Sequence, residues 1–146
     1  MQNRKPYVAV KRRRDRRGVA AVEFAVVAPL VFLLVFGGIE FARAFSALHT
    51  QEEAARQAVR VAVLHGTTVQ AVRDEAAKIL AAAGISQYTL TVDPDPPDRA
   101  AQWSPVTVTI TTDFRDVSWL AVPIYLGSRQ LVASSTLPRE AETTQN

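Results

Sequence analysis

Residues 19–39 read VAAVEFAVVAPLVFLLVFGGI, a run of 21 residues in which Glu23 is the single ionisable side chain. As an α-helix the run is about 31 Å long, the thickness of a bilayer's hydrocarbon core. It exceeds the roughly 7–15 apolar residues of a secretory signal peptide. The letters that close it, Gly37-Gly38-Ile39-Glu40-Phe41-Ala42, match poorly to the small-residue site at which such a signal is cut. The run therefore predicts a membrane-spanning helix.

The flanking charge gives the helix a direction. Residues 1–17 hold eight Lys/Arg (Arg4, Lys5, Lys11, Arg12, Arg13, Arg14, Arg16, Arg17) against one acid, Asp15. The other 129 residues hold nine Lys/Arg and thirteen Asp/Glu. The formal net charge of +3 thus conceals a leader of +7 in front of a body of −4. By the positive-inside rule the leader stays in the cytoplasm and the chain emerges outside from about residue 44. This predicts a basic leader over 1–18, a transmembrane helix over 19–42 and an extracytoplasmic head over 43–146. An acidic body with few aromatics does not read as a nucleic-acid binder. The absence of cysteine removes disulfide frameworks, thiolate zinc sites and cysteine nucleophiles.

Glu23 breaks the apolar pattern. A charge at the bilayer centre costs at least about 2.5–3.5 kcal/mol, and somewhat less near the cytoplasmic end where Glu23 stands. Position alone allows two readings: a carboxylate that snorkels or is protonated, or a functional acid with a partner. Pro29 is similarly open. It removes one helical hydrogen bond and presses on the carbonyl of Ala25, which makes a kink, yet proline is well tolerated in membrane helices. Gly37-Gly38 reads either as a flexible joint or as a close-packing notch.

The stretch Arg16-Arg17-Gly18-Val19-Ala20-Ala21-Val22-Glu23-Phe24 resembles the processing site of type IV prepilins. The resemblance implies a cut after Gly18 on the cytoplasmic face, with Val19 as the first mature residue and Glu23 the fifth. Such a cut removes the basic leader and creates an α-amine on Val19. In a filament that amine would pair with Glu23 of a neighbouring subunit. Two unit charges about 4 Å apart attract by about 4 kcal/mol at an effective dielectric of about 20, before desolvation is subtracted.

Together with the exit Phe36-Gly37-Gly38-Ile39-Glu40-Phe41-Ala42-Arg43, residues 16–43 are similar to the TadE-like family. These are minor pilins, or pseudopilins, of the tight-adherence (Flp-type) pilus. TadF-type proteins carry the same signature, so the subgroup stays open. The resemblance implies cleavage at Gly18 and Val19, subunit pairing through Glu23 and Phe24, and a helix kink at Pro29. It implies an inner-membrane location and, as partners, the membrane, a prepilin peptidase, the major Flp pilin, a TadF-like minor pilin and an inner-membrane assembly platform.

Beyond the run, Leu48, Ala55, Val59 and Ala62 continue a helical stripe, with Gln51, Glu52, Arg56 and Arg60 on another face. The first helix is expected over about 19–65, stopping at Gly66. A second helix is expected between a Thr67 cap, with Gln70 as its capping-box partner, and Gly84; its stripe is Val69, Val72, Ala76, Ile79, Leu80 and Ala83. Asp74 and Lys78 are spaced to pair. Three alternating segments then read as strands around Leu90, Val108 and Ala133. The expected fold is α+β: a long pilin-like N-terminal helix, a second amphipathic helix and a small antiparallel sheet of about three strands. Residues 114–127 have no clean period, and Pro123 argues against a central strand; a loop, a short helix and an exposed apolar contact for a partner stay open, with core packing expected for most of their apolar letters.

Catalytic chemistry is sparse. His49 and His65 have no catalytic neighbours in sequence. The loop Asp93-Pro94-Asp95-Pro96-Pro97-Asp98 lacks the glycine and closing glutamate of a calcium loop and reads as a stiff connection. No serine sits in a Gly-x-Ser-x-Gly context, and no phosphate loop is present. The sequence thus predicts no catalytic residue, metal, cofactor or small-molecule substrate. The expected role is structural, in pilus biogenesis, adhesion and secretion. The alternative is an uncleaved, single-pass membrane anchor whose head binds an envelope ligand.

Overall fold

The computed structural model describes residues 16–140, so the leader lies outside the described residues up to residue 15. The architecture is α+β, with a long N-terminal apolar helix, a second helix and a three-stranded antiparallel sheet. In chain order these are α1 (Arg16–Ala62), α2 (Val69–Ala82), β1 (Thr89–Asp93), β2 (Pro105–Asp113), the single-turn α3 (Phe114–Val117) and β3 (Gln130–Pro138). The chain divides into two compact units, Met1–Val35 and Phe36–Asn146.

In the first unit α1 is helical through Pro29, and its most apolar stretch is unburied. Val22, Phe24, Leu30 and Leu34 are all exposed. The core helix of a soluble protein would hide such side chains. A helix this long, apolar on every face and uncovered is suited to lipid. Among the described residues it is the one helix long and apolar enough to cross a membrane, which marks a membrane-anchored chain.

The second unit is built on a single core. The lower part of α1 contributes Ala44, Ala47, Ala54, Ala55, Ala58, Val59 and Ala62; α2 contributes Val72, Ala76 and Leu80. The sheet adds Leu90, Val92, Val106, Val108 and Ile110, and α3 adds Phe114 and Val117. Alanines on α1 keep its buried face thin, which permits close approach of packed elements. The sheet order is β1-β2-β3, with Leu90 opposite Ile110 and Ile110 opposite Ala133. Alternation is strict in the central strand, where Val106, Val108, Ile110 and Thr112 are buried. On the other face the hydroxyls of Thr107 and Thr136 meet across strands at 2.9 Å.

Local chemistry sets the ends of α2. Thr68, rather than the expected Thr67, is the cap, and its hydroxyl accepts from the Ala71 N–H at 3.2 Å. Gln70 is not a capping-box partner; its amide donates to Asp74 at 2.8 Å. Asp74 being so engaged, Lys78 pairs with Glu75, whose bond raises the Lys78 pKa. The C-terminus closes as expected at Gly84, with φ of +72°. Gly84 N–H donates to Ala81 O and Ile85 N–H to Leu80 O, the paired bonds of a Schellman end.

Gln51 corrects the expected helical wheel: it is fully buried rather than on the solvent face. The buried arc of α1 is wider than the Leu48–Ala62 stripe because α2 and sheet residues share one core with it. Neither amide atom of Gln51 has a hydrogen-bond partner among the described residues. A buried, unpaired amide costs about 1–3 kcal/mol. Gln51→Leu keeps the volume and removes that cost, so unfolding of the detergent-solubilised protein by denaturant is expected to become about 1–2 kcal/mol harder. A variant no more stable than the parent would show that the amide is not orphaned in solution.

Candidate functional site

The residues singled out by the sequence all lie on the first turns of α1. Gly18 is the third residue of the helix, exposed, with nothing within 4 Å of where a Cβ would stand. Val19, Glu23 and Phe24 are exposed, and Pro29 lies within the same helix and is exposed too. From Gly18 to Glu23 is a little over one helical turn, about 7.5 Å along the axis. The first turn carries no acidic side chain, so Glu23 is the first acid that the described helix presents. This segment offers a small residue, an apolar surface and one carboxylate, with no group placed to do covalent chemistry.

A second constellation went unread in the sequence. Gly37, Glu40 and Arg43 recur every three residues, a spacing that puts side chains on one side of a helix. All three are buried, and together they hold the connection between α3 and β3. Glu40 is 1% exposed. One carboxylate oxygen accepts from the Ile124 N–H. The other accepts from the Tyr125 and Leu126 N–H groups, each at 2.9 Å. Three successive backbone dipoles thus converge on one carboxylate, the arrangement of an anion-binding nest. Such bonds to an ionised acceptor are about twice as strong as neutral ones, and they offset the cost of burying the charge.

Arg43 completes the hold. Its Nε donates to the Val117 carbonyl at 2.6 Å, and its guanidinium lies 5.0 Å from the centre of the Trp119 ring. Gly37 lets the loop approach: a Cβ there would stand 3.0 Å from the Tyr125 ring. Gly37 is therefore a close-packing notch, whereas Gly38 is exposed and meets nothing. The loop itself is closed by Phe114 N–H donating to Arg129 O at 2.8 Å.

The loop overturns the expectation of core packing for residues 114–127. Phe114 and Val117 are buried, but Trp119, Val122, Ile124 and Tyr125 are exposed. The reason is that the backbone N–H groups of residues 124–126 are turned toward α1 to satisfy Glu40, and the Tyr125 and Trp119 rings lie against Gly37 and Arg43 with much of their surface still exposed. The signal that could have found this is the spacing of Glu40 and Arg43 on the same face as Ala44 and Ala47. Two ionisable side chains on a buried face need partners.

Elsewhere, Arg139 ties the end of β3 to the β1–β2 connection. It donates to Ala100 O at 2.7 Å, to Asp98 O, and to the Asp98 carboxylate at 3.0 Å. Among the described residues no group of three His, Asp or Glu could hold a metal ion.

Residues 18–60 match the family described as TadE-like protein. The match begins at Gly18, takes in Glu23, Phe24 and Pro29, and extends through Gly37, Glu40 and Arg43. The similarity to that family covers 43 of the 146 residues. No curated protein and no solved structure matches the chain.

Proposed function

We propose, from a chain whose residues 18–60 are TadE-like, that the protein is a pseudopilin of a Tad, or Flp-type, pilus assembly machinery. It is inserted in the inner membrane with residues 1–17 in the cytoplasm and the head outside, and a prepilin peptidase cuts it after Gly18. The mature subunit acts structurally, not as an enzyme, in pilus biogenesis, adhesion and secretion. Its partners are the major Flp pilin, a TadF-like minor pilin and the assembly platform. The observation that carries this reading is the alignment of three features at one point. The family match starts at Gly18, a basic leader precedes it, and an exposed Glu23 follows at the fifth position on an unburied apolar helix.

The roles divide by chemistry. Gly18 has no side chain to obstruct a peptidase and is a poor helix former, so the bond after it unwinds cheaply. Cleavage exchanges eight basic side chains and Asp15 for one α-amine on Val19, which cancels the address that held the leader in the cytoplasm. Glu23 then supplies the matching carboxylate on the next subunit, and Phe24 beside it supplies apolar contact.

The test is the N-terminus of the protein extracted from membranes of cells with an active prepilin peptidase. N-terminal sequencing is expected to begin at Val19, and Gly18→Leu to leave the full-length precursor. A wild-type product that still begins at Met1 would favour the uncleaved anchor and overturn the pseudopilin reading.

A further inference from the structure

Residues 117–128 read Val-Ser-Trp-Leu-Ala-Val-Pro-Ile-Tyr-Leu-Gly-Ser and contain no charged side chain. Within them Trp119 is 70% exposed, Val122 78%, Ile124 51% and Tyr125 47%. An uncharged surface segment that presents two aromatics and two β-branched residues is not a solvated loop. Contiguous apolar patches of this kind mark a surface meant for another apolar phase. The exposure is built in rather than accidental. Glu40 binds the three N–H groups of residues 124–126 and Arg43 binds the Val117 carbonyl, so the polar backbone is spent on α1.

Where the loop is held decides what meets it. Its anchors are Gly37, Glu40 and Arg43, and the apolar run ends at Ile39. At 1.5 Å per residue, Gly37 and Arg43 are about 9 Å apart along the helix, so the anchors straddle the end of the run. A bilayer that takes up residues 19–39 has its headgroup level over that same stretch. Trp and Tyr are the side chains that settle at this level, with an apolar ring and a polar edge. Phe41 and Phe45 are exposed at the same level along α1. Buried Glu40 fits the position as well, since its charge is already satisfied by backbone donors and asks nothing of the lipid.

We propose that residues 119–125 form a wedge that enters the lipid interface beside the membrane helix, with the bilayer as its occupant. The wedge fixes the depth and tilt of the head on the membrane, and it must be withdrawn when the subunit leaves the bilayer. The proposal rests on the reading of residues 19–39 as a membrane span.

The chain has two tryptophans, Trp103 and Trp119, so Trp103→Phe leaves Trp119 as the sole fluorophore. The full-length variant is reconstituted in phosphatidylcholine vesicles whose chains are brominated either near the headgroup or near the terminal methyl. Trp119 emission is expected to shift to shorter wavelength and to be quenched most by the shallow bromines. The companion variant Trp119→Phe, which reports Trp103, is expected to be unquenched. The chain lacks cysteine, so Val122→Cys with a nitroxide label gives a second measurement: greater accessibility to oxygen than to a water-soluble nickel chelate. Flotation of the protein with the vesicles tests the span separately. Protein that floats while Trp119 and the label at 122 stay in water overturns the wedge and leaves the anchor standing. A Trp119 shielded from iodide but untouched by bromolipid would mean a protein partner and would equally overturn it. Protein that fails to float overturns the anchor itself.

Discussion

Glu40→Ala is expected to release the 118–126 loop and to lower stability by about 2–4 kcal/mol. The magnitude follows from opposing terms. Each backbone donor bonded to an ionised acceptor contributes about 1.5–3 kcal/mol, and Glu40 accepts from three. Against this stands the desolvation of a carboxylate that is 1% exposed, which removal of the side chain relieves. The loop can also rehydrate its freed N–H groups, because Trp119, Val122, Ile124 and Tyr125 are already exposed to solvent. The loss is therefore well below the sum of three bonds. It is also local, since the core of α2 and the sheet does not depend on those bonds. Glu40→Gln keeps one acceptor oxygen but sets an amide NH₂ against the remaining donor, so an intermediate loss is expected. The measurement is hydrogen exchange of the Ile124, Tyr125 and Leu126 amides in detergent, which should quicken about 100-fold for a local loss near 3 kcal/mol. Unchanged protection in Glu40→Ala would mean that the loop is held by its own packing.

The same loop shows what a sequence can and cannot reveal here. The apolar helix was legible because its signal is local: composition over 21 residues decides it. The strands were legible for a similar reason, as Val106, Val108 and Ile110 alternate with threonines and meet partners nearby in the chain. Residues 114–127 were not, because what positions them is an acid 84 residues before Ile124. No periodicity encodes a bond of that span. Apolar letters there argued for burial, but the backbone's need for an acceptor and Glu40's need for donors took precedence. Gln51 failed for the opposite reason: a polar letter on a helix argues for solvent, yet the arc shared with α2 and the sheet reaches past it. Thr67 and Thr68 differ by one residue, and local pattern does not choose between adjacent caps. Glu23 stands out by its place in an apolar run, whereas the processing and pairing roles proposed for Gly18, Val19, Glu23 and Phe24 rest on resemblance, since they depend on molecules other than this chain.

Glu23→Ala is expected to leave processing after Gly18 intact and to remove assembly. Insertion does not confound the result. Deleting a carboxylate from an apolar helix lowers its transfer cost, which is at least about 2.5–3.5 kcal/mol at the bilayer centre and less toward the end. The variant should therefore reach the membrane at least as well as the parent and meet the same peptidase. What it loses is the acceptor for the Val19 α-amine of a neighbour, a pair worth about 4 kcal/mol at an effective dielectric of about 20 before desolvation is subtracted. If about half survives desolvation, each contact weakens by more than tenfold, since 1.4 kcal/mol is a factor of ten. A polymer multiplies that factor at every subunit added, so a modest pairwise loss becomes a steep loss of fibre. Glu23→Gln separates charge from hydrogen bonding: if the ion pair sets the register, Gln should fail nearly as badly as Ala. Gly18→Leu offers an independent check, because an uncut precursor has no α-amine at Val19 and should fail to assemble although its Glu23 is intact. The measurement is the N-terminal sequence of each variant alongside its co-purification with the other pilins and the count of surface pili. Normal co-purification and normal piliation in Glu23→Ala would remove the pairing role, and a full-length Glu23→Ala product would move Glu23 from assembly to peptidase recognition.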